Sequence, residues 1–387
     1  MCIRDSYYDM VKDMTIPLCS KIDCDHRTEE CEAYMSEDAC LGNKIWYHNQ
    51  RLYMIERTTE KDILVSYDKT MRDKKEEKTL SINGLSVNKY DNSACLTNGK
   101  LYYLVSGDNQ RYLCAVPIDT DEQAYIVKQY ASEYHYYERL SLYPIEDNLY
   151  VNWVSGISAD EYRYYTEQID VSTDEVVIQC NMNEKYPEIA STIIYTEWCI
   201  QSRFDSDGNI YFACVGDNKY IVRKLNISTG DIKDIYSQEM QHEKDYRYVS
   251  LKNYDGKYLY IYKNVNGEAL AEKSIEEKRK KYDNNIYILD TDGNVKDTVT
   301  LNGTDDTAGG NIPGEFYGGD DRCLLIVFST YGIKGLELSE EKTALRTELI
   351  EEGRKNKNGG PVISISAILD KSQIGSGAIT LEQITPE

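Results

Sequence analysis

Three thiols and one imidazole stand within thirteen residues: Cys19, Cys24, His26 and Cys31, in the run IPLCSKIDCDHRTEEC. Thiolate sulfur and imidazole nitrogen close a tetrahedral shell around zinc, and a short loop can fold back to deliver all four ligands. Closed ligation predicts a structural zinc that holds a segment too polar to build its own core. The competing chemistry is oxidative: Cys40 lies nine residues further on, and Cys19, Cys24, Cys31 and Cys40 could pair as disulfides in an exported protein. The metal set is preferred because His26 falls inside the cluster. No Cys-x-x-Cys is present, which argues against a redox pair.

Other chemistry leaves no linear trace. The chain has no Gly-x-Ser-x-Gly elbow, no His-Glu-x-x-His, no phosphate-binding loop and no dinucleotide fingerprint. His48, His135 and His242 stand outside any motif. The turns Asp205–Asn209 and Asp290–Asn294 begin like calcium loops. Their twelfth positions are Gly216 and Leu301, so neither supplies the bidentate glutamate, and both read as hairpin turns.

The elements that carry these residues are strands. Residues 204–236 alternate aromatic and β-branched side chains between DSDGN, GDN and STG turns, which predicts a four-stranded meander. A hydrophobic pair opens the second strand of each such unit: Leu52-Tyr53, Leu101-Tyr102, Leu149-Tyr150, Ile210-Tyr211, Leu259-Tyr260 and Leu324-Leu325, at spacings of 49, 48, 61, 49 and 65. A period of about 50 residues fits propeller blades. The expectation is an all-β fold, a single β-propeller domain over 7–387. It has seven four-stranded blades, the first keeping only its outer strand pair at 7–18. The Cys/His loop occupies 19–40, and charged helical insertions are expected at 269–282 and 339–353. Residues 1–6, MCIRDS, resemble translated sequencing-adapter read-through and are set aside with Cys2.

A net charge of −22 excludes the basic face that nucleic acid requires and disfavours direct adhesion to anionic lipid. Tyr outnumbers Phe 35 to 4, which suits half-buried sheet faces where the ring packs and the hydroxyl finds a polar partner. Cys95, Cys114, Cys180 and Cys323 read as strand-core thiols, and Cys199 and Cys214 oppose each other on one predicted hairpin.

The run IPLCSKIDCDHRTEEC with Ala33-Tyr34, and the closing LDKSQIGSGAITLEQI, resemble segments of uncharacterised Tyr-rich cell-surface lipoproteins of gut Clostridia, Lachnospiraceae-like in style. The resemblance implies an extracytoplasmic, surface location through a lipid anchor preceding this chain, and brings no established activity. The expected function is a non-enzymatic module, a monomer, that binds a surface glycan, peptide or protein at a propeller mouth. The alternatives are a glycan-active hydrolase or lyase using acidic residues at the central channel mouth, and a structural spacer. Beyond zinc no cofactor is expected.

Overall fold

The computed structural model describes residues 3–4, 6–9, 14–17, 34–35, 45–57, 60–68, 73–88, 93–107, 110–131, 137–158, 161–186, 202–216, 219–239, 248–264, 285–300, 312–317, 321–330 and 363–384. It divides into two compact units, Met1–Ser191 and Thr192–Glu387. Among the described residues, helix is confined to one turn, α1 (Met182–Lys185), and a 3-10 turn at Lys371–Gln373. No described helix is long and apolar enough to cross a membrane.

Near the N-terminus, β1 (Ile3–Arg4) pairs with β4 (Tyr34–Met35), and β2 (Ser6–Asp9) with β3 (Met14–Pro17). Blade 1 follows as β5 (Trp46–His48), β6 (Arg51–Arg57), β7 (Asp62–Asp68) and β8 (Lys75–Thr79). Blade 2 holds β10 (Ala94–Thr97), β11 (Lys100–Gly107), β12 (Gln110–Pro117) and β13 (Tyr125–Ala131), with a short β9 (Ser86–Val87) paired to β11. Blade 3 is β14 (Tyr137–Ile145), β15 (Asn148–Ser158), β16 (Glu161–Asp170) and β17 (Glu175–Asn181).

In the second unit, blade 4 is β18 (Arg203–Phe204), β19 (Asn209–Gly216), β20 (Lys219–Asn226) and β21 (Ile232–Glu239). Blade 5 is β22 (Tyr248–Tyr254), β23 (Tyr258–Asn264), β24 (Asn285–Asp290) and β25 (Val295–Thr300). Blade 6 is β26 (Ile312–Tyr317), β27 (Cys323–Thr330), β28 (Ile363–Asp370) and β29 (Leu381–Ile384). In every blade the four strands pair antiparallel in chain order. The arrangement is a β-propeller of six four-stranded blades, three in each unit, which corrects the expected seven. Among the described residues the N-terminal hairpin β2–β3 pairs with no further strand, and two strands alone cannot bury a face.

Each blade packs through alternate residues of its strands. Leu101, Tyr103 and Val105 of β11 meet Tyr53, Ile55 and Leu64 of blade 1, while Tyr102 and Leu104 meet Leu140, Leu142 and Val151 of blade 3. Blade 5 does the same, with Leu259 and Ile261 against Tyr211 and Val222, and Tyr260 and Tyr262 against Phe316 and Ile326. A strand buried on both faces needs an unbroken apolar run, and the KLYYLVSG of β11 supplies one. Full burial of each such side chain contributes about 1.5–3 kcal/mol.

The tyrosine excess has a specific use. Buried hydroxyls reach fixed acceptors: Tyr103 donates to Leu80 O at 2.8 Å, Tyr211 to Asp205 at 2.7 Å and Tyr260 to Asp255 at 2.7 Å. A phenylalanine would pack as well but leave the Leu80 carbonyl and the two carboxylates one donor short.

A second tie recurs between neighbours. The turn joining the third and fourth strands of one blade contacts the preceding blade. Asp119 accepts from Asn49 at 2.9 Å and sits 2.9 Å from His48 Nε2. Asp174 accepts from Lys100 at 3.0 Å and from Tyr102. Lys371 pairs with Asp255 at 2.8 Å, and Asp297 accepts from the Gly375 and Gly377 N–H groups at 2.9 and 3.1 Å.

Candidate functional site

In an antiparallel sheet, residues paired across strands share a face, and so do residues two apart along each strand. The register of blade 3 sets Leu140, Trp153, Tyr165 and Asn181 in one row, and Leu142, Val151, Glu167 and Gln179 in the next row of the same face. Leu140, Leu142 and Val151 pack against blade 2. Towards the outer edge the row becomes aromatic and polar.

Trp153 and Tyr165 stack with ring centres 5.1 Å apart, and Tyr130 of β13 meets Trp153 edge-on at 5.7 Å. Glu167 is only 3% exposed. Its carboxylate receives the Lys128 ammonium at 2.7 Å, the Tyr130 hydroxyl at 3.0 Å and the Gln179 amide at 2.8 Å. Burial first, and then the Glu167 charge, push the Tyr130 hydroxyl well above its ordinary pKa. Tyr130 therefore stays a neutral donor at any physiological pH.

Beside this cluster a cleft of about 400 Å³ opens, lined by Tyr165, Gln179, Cys180, Asn181, Glu184 and Lys185. Its far wall is α1, which exists because Asn181 caps it. The Asn181 Oδ1 accepts from the N–H groups of Asn183 at 3.1 Å and Glu184 at 3.4 Å. Asn183 in turn accepts from the Tyr164 N–H at 2.7 Å, which pins the turn to β16. Gln179 spends its amide nitrogen on Glu167, and Asn181 spends its oxygen on the cap. The Gln179 oxygen and the Asn181 nitrogen meet no described partner, so the cleft offers one acceptor and one donor beside an aromatic wall. Glu184 and Lys185 are exposed there. The cleft volume lies in the range of small-molecule sites.

Cys19, Cys24, His26 and Cys31 lie outside the described residues, as do His135, His242 and both expected helical insertions. His48 pairs with Asp119 at a blade junction. The two turns that begin like calcium loops are hairpin turns: Asp205 accepts from the Asp207 and Asn209 N–H groups, and Asp290 from those of Asp292 and Asn294. Cys95, Cys114, Cys180 and Cys214 are buried and Cys323 is half-buried, while Cys199 lies outside the described residues. The capping signature Asn181-x-x-Glu184 was the one linear trace of the cleft. Glu167, Trp153, Tyr165 and Gln179 left none, because only the register brings them together.

No family model matches the chain, and no curated protein matches it in sequence. Solved structures match in fold. An oligogalacturonate lyase from Vibrio parahaemolyticus superposes with a TM-score of 0.51 at 9% identity, covering 98% of this chain and 84% of its own. An oligogalacturonate lyase in complex with manganese gives 0.50 at 11% identity, over 100% and 96% of the two chains. An uncharacterized protein from Listeria monocytogenes gives 0.50 at 7% identity, over 91% and 86%. The likeness is thus to bacterial β-propeller proteins and establishes the fold.

These neighbours correct the expectation of a non-enzymatic binding module. That expectation rested on the propeller mouth as a default binding site, and the same fold over nearly the whole chain serves in lyases. A propeller assembles its site from separate strands, so an empty motif search carries no weight against catalysis. One neighbour holds manganese. Among the described residues of this chain no group of three or more His, Cys, Asp or Glu could hold a metal, so they do not fit that ion.

Proposed function

We propose that the protein is a glycan-cleaving enzyme with the blade 3 cleft as its site. The observation that carries this is the Tyr165–Trp153 stack standing beside the open oxygen of Gln179, the open nitrogen of Asn181 and the exposed carboxylate of Glu184. The C–H face of a sugar ring packs on an aromatic face, and its hydroxyls demand donors and acceptors in pairs. Gln179 and Asn181 supply one of each. Glu184 is the group that moves a proton, as breakage of a glycosidic bond requires. Glu167 acts through Gln179, holding its amide so that the oxygen turns to the cleft. The likeness in fold to oligogalacturonate lyases supports the reaction class.

Incubation with a panel of plant, microbial and mucin polysaccharides, read by new chain ends, tests the proposal. The wild type should cleave at least one, and Glu184→Gln should lower the rate at least about a hundredfold, the ordinary contribution of a general acid or base. Cleavage by Glu184→Gln at the wild-type rate overturns the assignment, and intact substrates throughout overturn the enzyme. The proposal includes an extracytoplasmic, surface-anchored monomer, on the resemblance of the Cys/His loop, and a structural zinc on Cys19, Cys24, His26 and Cys31.

A further inference from the structure

We propose that Asn98 is a deamidation site guarded by Asp147, and that its conversion to aspartate turns the tie between blades 2 and 3 into a repulsion. The inference stands apart from the cleft and its chemistry.

Deamidation runs when the next residue's backbone nitrogen attacks the asparagine amide carbon, and glycine shields its nitrogen least. Two Asn-Gly pairs fall among the described residues, Asn83-Gly84 and Asn98-Gly99. Both occupy the two central positions of a tight hairpin turn in the left-handed region, with φ of 52° and 76° in the first and 47° and 71° in the second. Both asparagines are exposed. The two turns therefore share a backbone and differ in what surrounds them.

Around Gly84 an added Cβ would meet nothing within 4 Å, and the Asn83 side chain has no described partner. The second turn is held on both sides. Asn98 Nδ2 donates to Asp147 at 2.7 Å, and the neighbouring Thr97 hydroxyl donates to Glu146 O at 3.3 Å. Asp119 stands 2.8 Å from the place of a Gly99 Cβ, and Gly99 O accepts from the Ile118 N–H at 2.9 Å. Swinging the Asn98 amide carbon onto the Gly99 nitrogen breaks the bond to Asp147. A hydrogen bond to a charged acceptor is strong enough to hold that step back at least about tenfold.

The chemistry needs only water. The Gly99 nitrogen bonds to Asn98 Cγ, the Cγ–Nδ2 bond breaks, and Nδ2 leaves as ammonia with the Gly99 proton. One water then opens the cyclic imide to aspartate or isoaspartate, and nothing is oxidised or reduced. Aspartate sets a carboxylate against Asp147 with no donor between them, and like charges so placed repel. Isoaspartate adds a backbone carbon that a two-residue turn cannot hold.

The test uses the unguarded turn as an internal control. The whole chain is held in warm, mildly alkaline buffer, and conversion at Asn83 and Asn98 is followed by peptide mass. Asn83 should convert at least about tenfold faster than Asn98, and Asp147→Ala should raise the Asn98 rate by a similar factor with Asn83 unchanged. Equal rates in the wild type, an unmoved Asn98 rate in Asp147→Ala, or a rise at both sites overturns the guard. Asn98→Asp reproduces the product and should lower the melting temperature by about 2–4 °C. Adding Asp147→Asn returns a donor to the pair and should restore it. A melting temperature that Asn98→Asp leaves unmoved, or that the second change fails to restore, overturns the role given to the tie.

Discussion

Replacing Glu167 by Gln keeps the shape of the side chain and removes its charge. The Lys128 ammonium, 2.7 Å away with its side chain 26% exposed, then loses its counter-ion in a site where the carboxylate side chain is only 3% exposed. Breaking a buried pair by removing one partner costs about 3–5 kcal/mol. Partial rehydration of Lys128 trims that to about 2–3 kcal/mol, since Tyr130 can still donate to the new amide oxygen. Urea unfolding of the four proteins in a double-mutant cycle with Lys128→Met separates the stranded charge from lost packing. Once the carboxylate is gone, Lys128→Met should cost about 2 kcal/mol less than in the wild type. Additive losses, or a Glu167→Gln penalty below about 0.5 kcal/mol, would refute the claim that this pair ties blade 2 to blade 3. Because Gln179 is held by the same carboxylate, Glu167→Gln should also weaken sugar binding in the cleft, whereas Lys128→Met alone should spare most of it.

Alkali should unfold the protein in a defined direction. Burial first, and then nearby Asp carboxylates, raise the hydroxyls of Tyr102, Tyr211 and Tyr260, and push Tyr254 up to about 12. Unfolded tyrosine ionises near pH 10, so above that pH the unfolded chain releases protons that the folded chain holds. Stability should fall steadily as pH climbs from about 10, and a flat urea midpoint between about pH 9 and 11.5 would contradict the assignment. At Gly293, where φ is +88°, an added Cβ would stand 1.9 Å from the Ile235 carbonyl oxygen, so Gly293→Ala should cost roughly 2–4 kcal/mol by calorimetry, with an unshifted transition ruling that contact out. Purified, reduced protein should carry about one zinc, released by His26→Ala, and metal-free protein with paired cysteines would show that the loop is disulfide-bonded instead.

The blades were legible because their grammar is local. Each of the six hydrophobic pairs, from Leu52-Tyr53 to Leu324-Leu325, lands on the second strand of a blade, and the 204–236 meander forms as its turns require. The blade count erred at residues 7–18, where a strand pair reads alike whether or not two more strands join it. The cleft was illegible for a different reason. Trp153, Tyr165, Glu167 and Gln179 sit on three strands, and a one-residue slip would send each to the opposite face. Alternation reports that a strand has two faces without saying which neighbouring blade each one meets. The charged pairings Lys128–Glu167 and Lys100–Asp174 are long-range for the same reason.

The ties between blades all run one way along the chain: Asp119 reaches back to His48 and Asn49, Asp174 to Lys100 and Tyr102, and Lys371 to Asp255. A polypeptide leaving the ribosome therefore completes a sheet before the residue that fastens it has been translated. Blade 1 waits for Asp119, blade 2 for Asp174 and blade 5 for Lys371. A stop codon inside either unit thus harms more than the blade it cuts, because the one made just before is left unfastened.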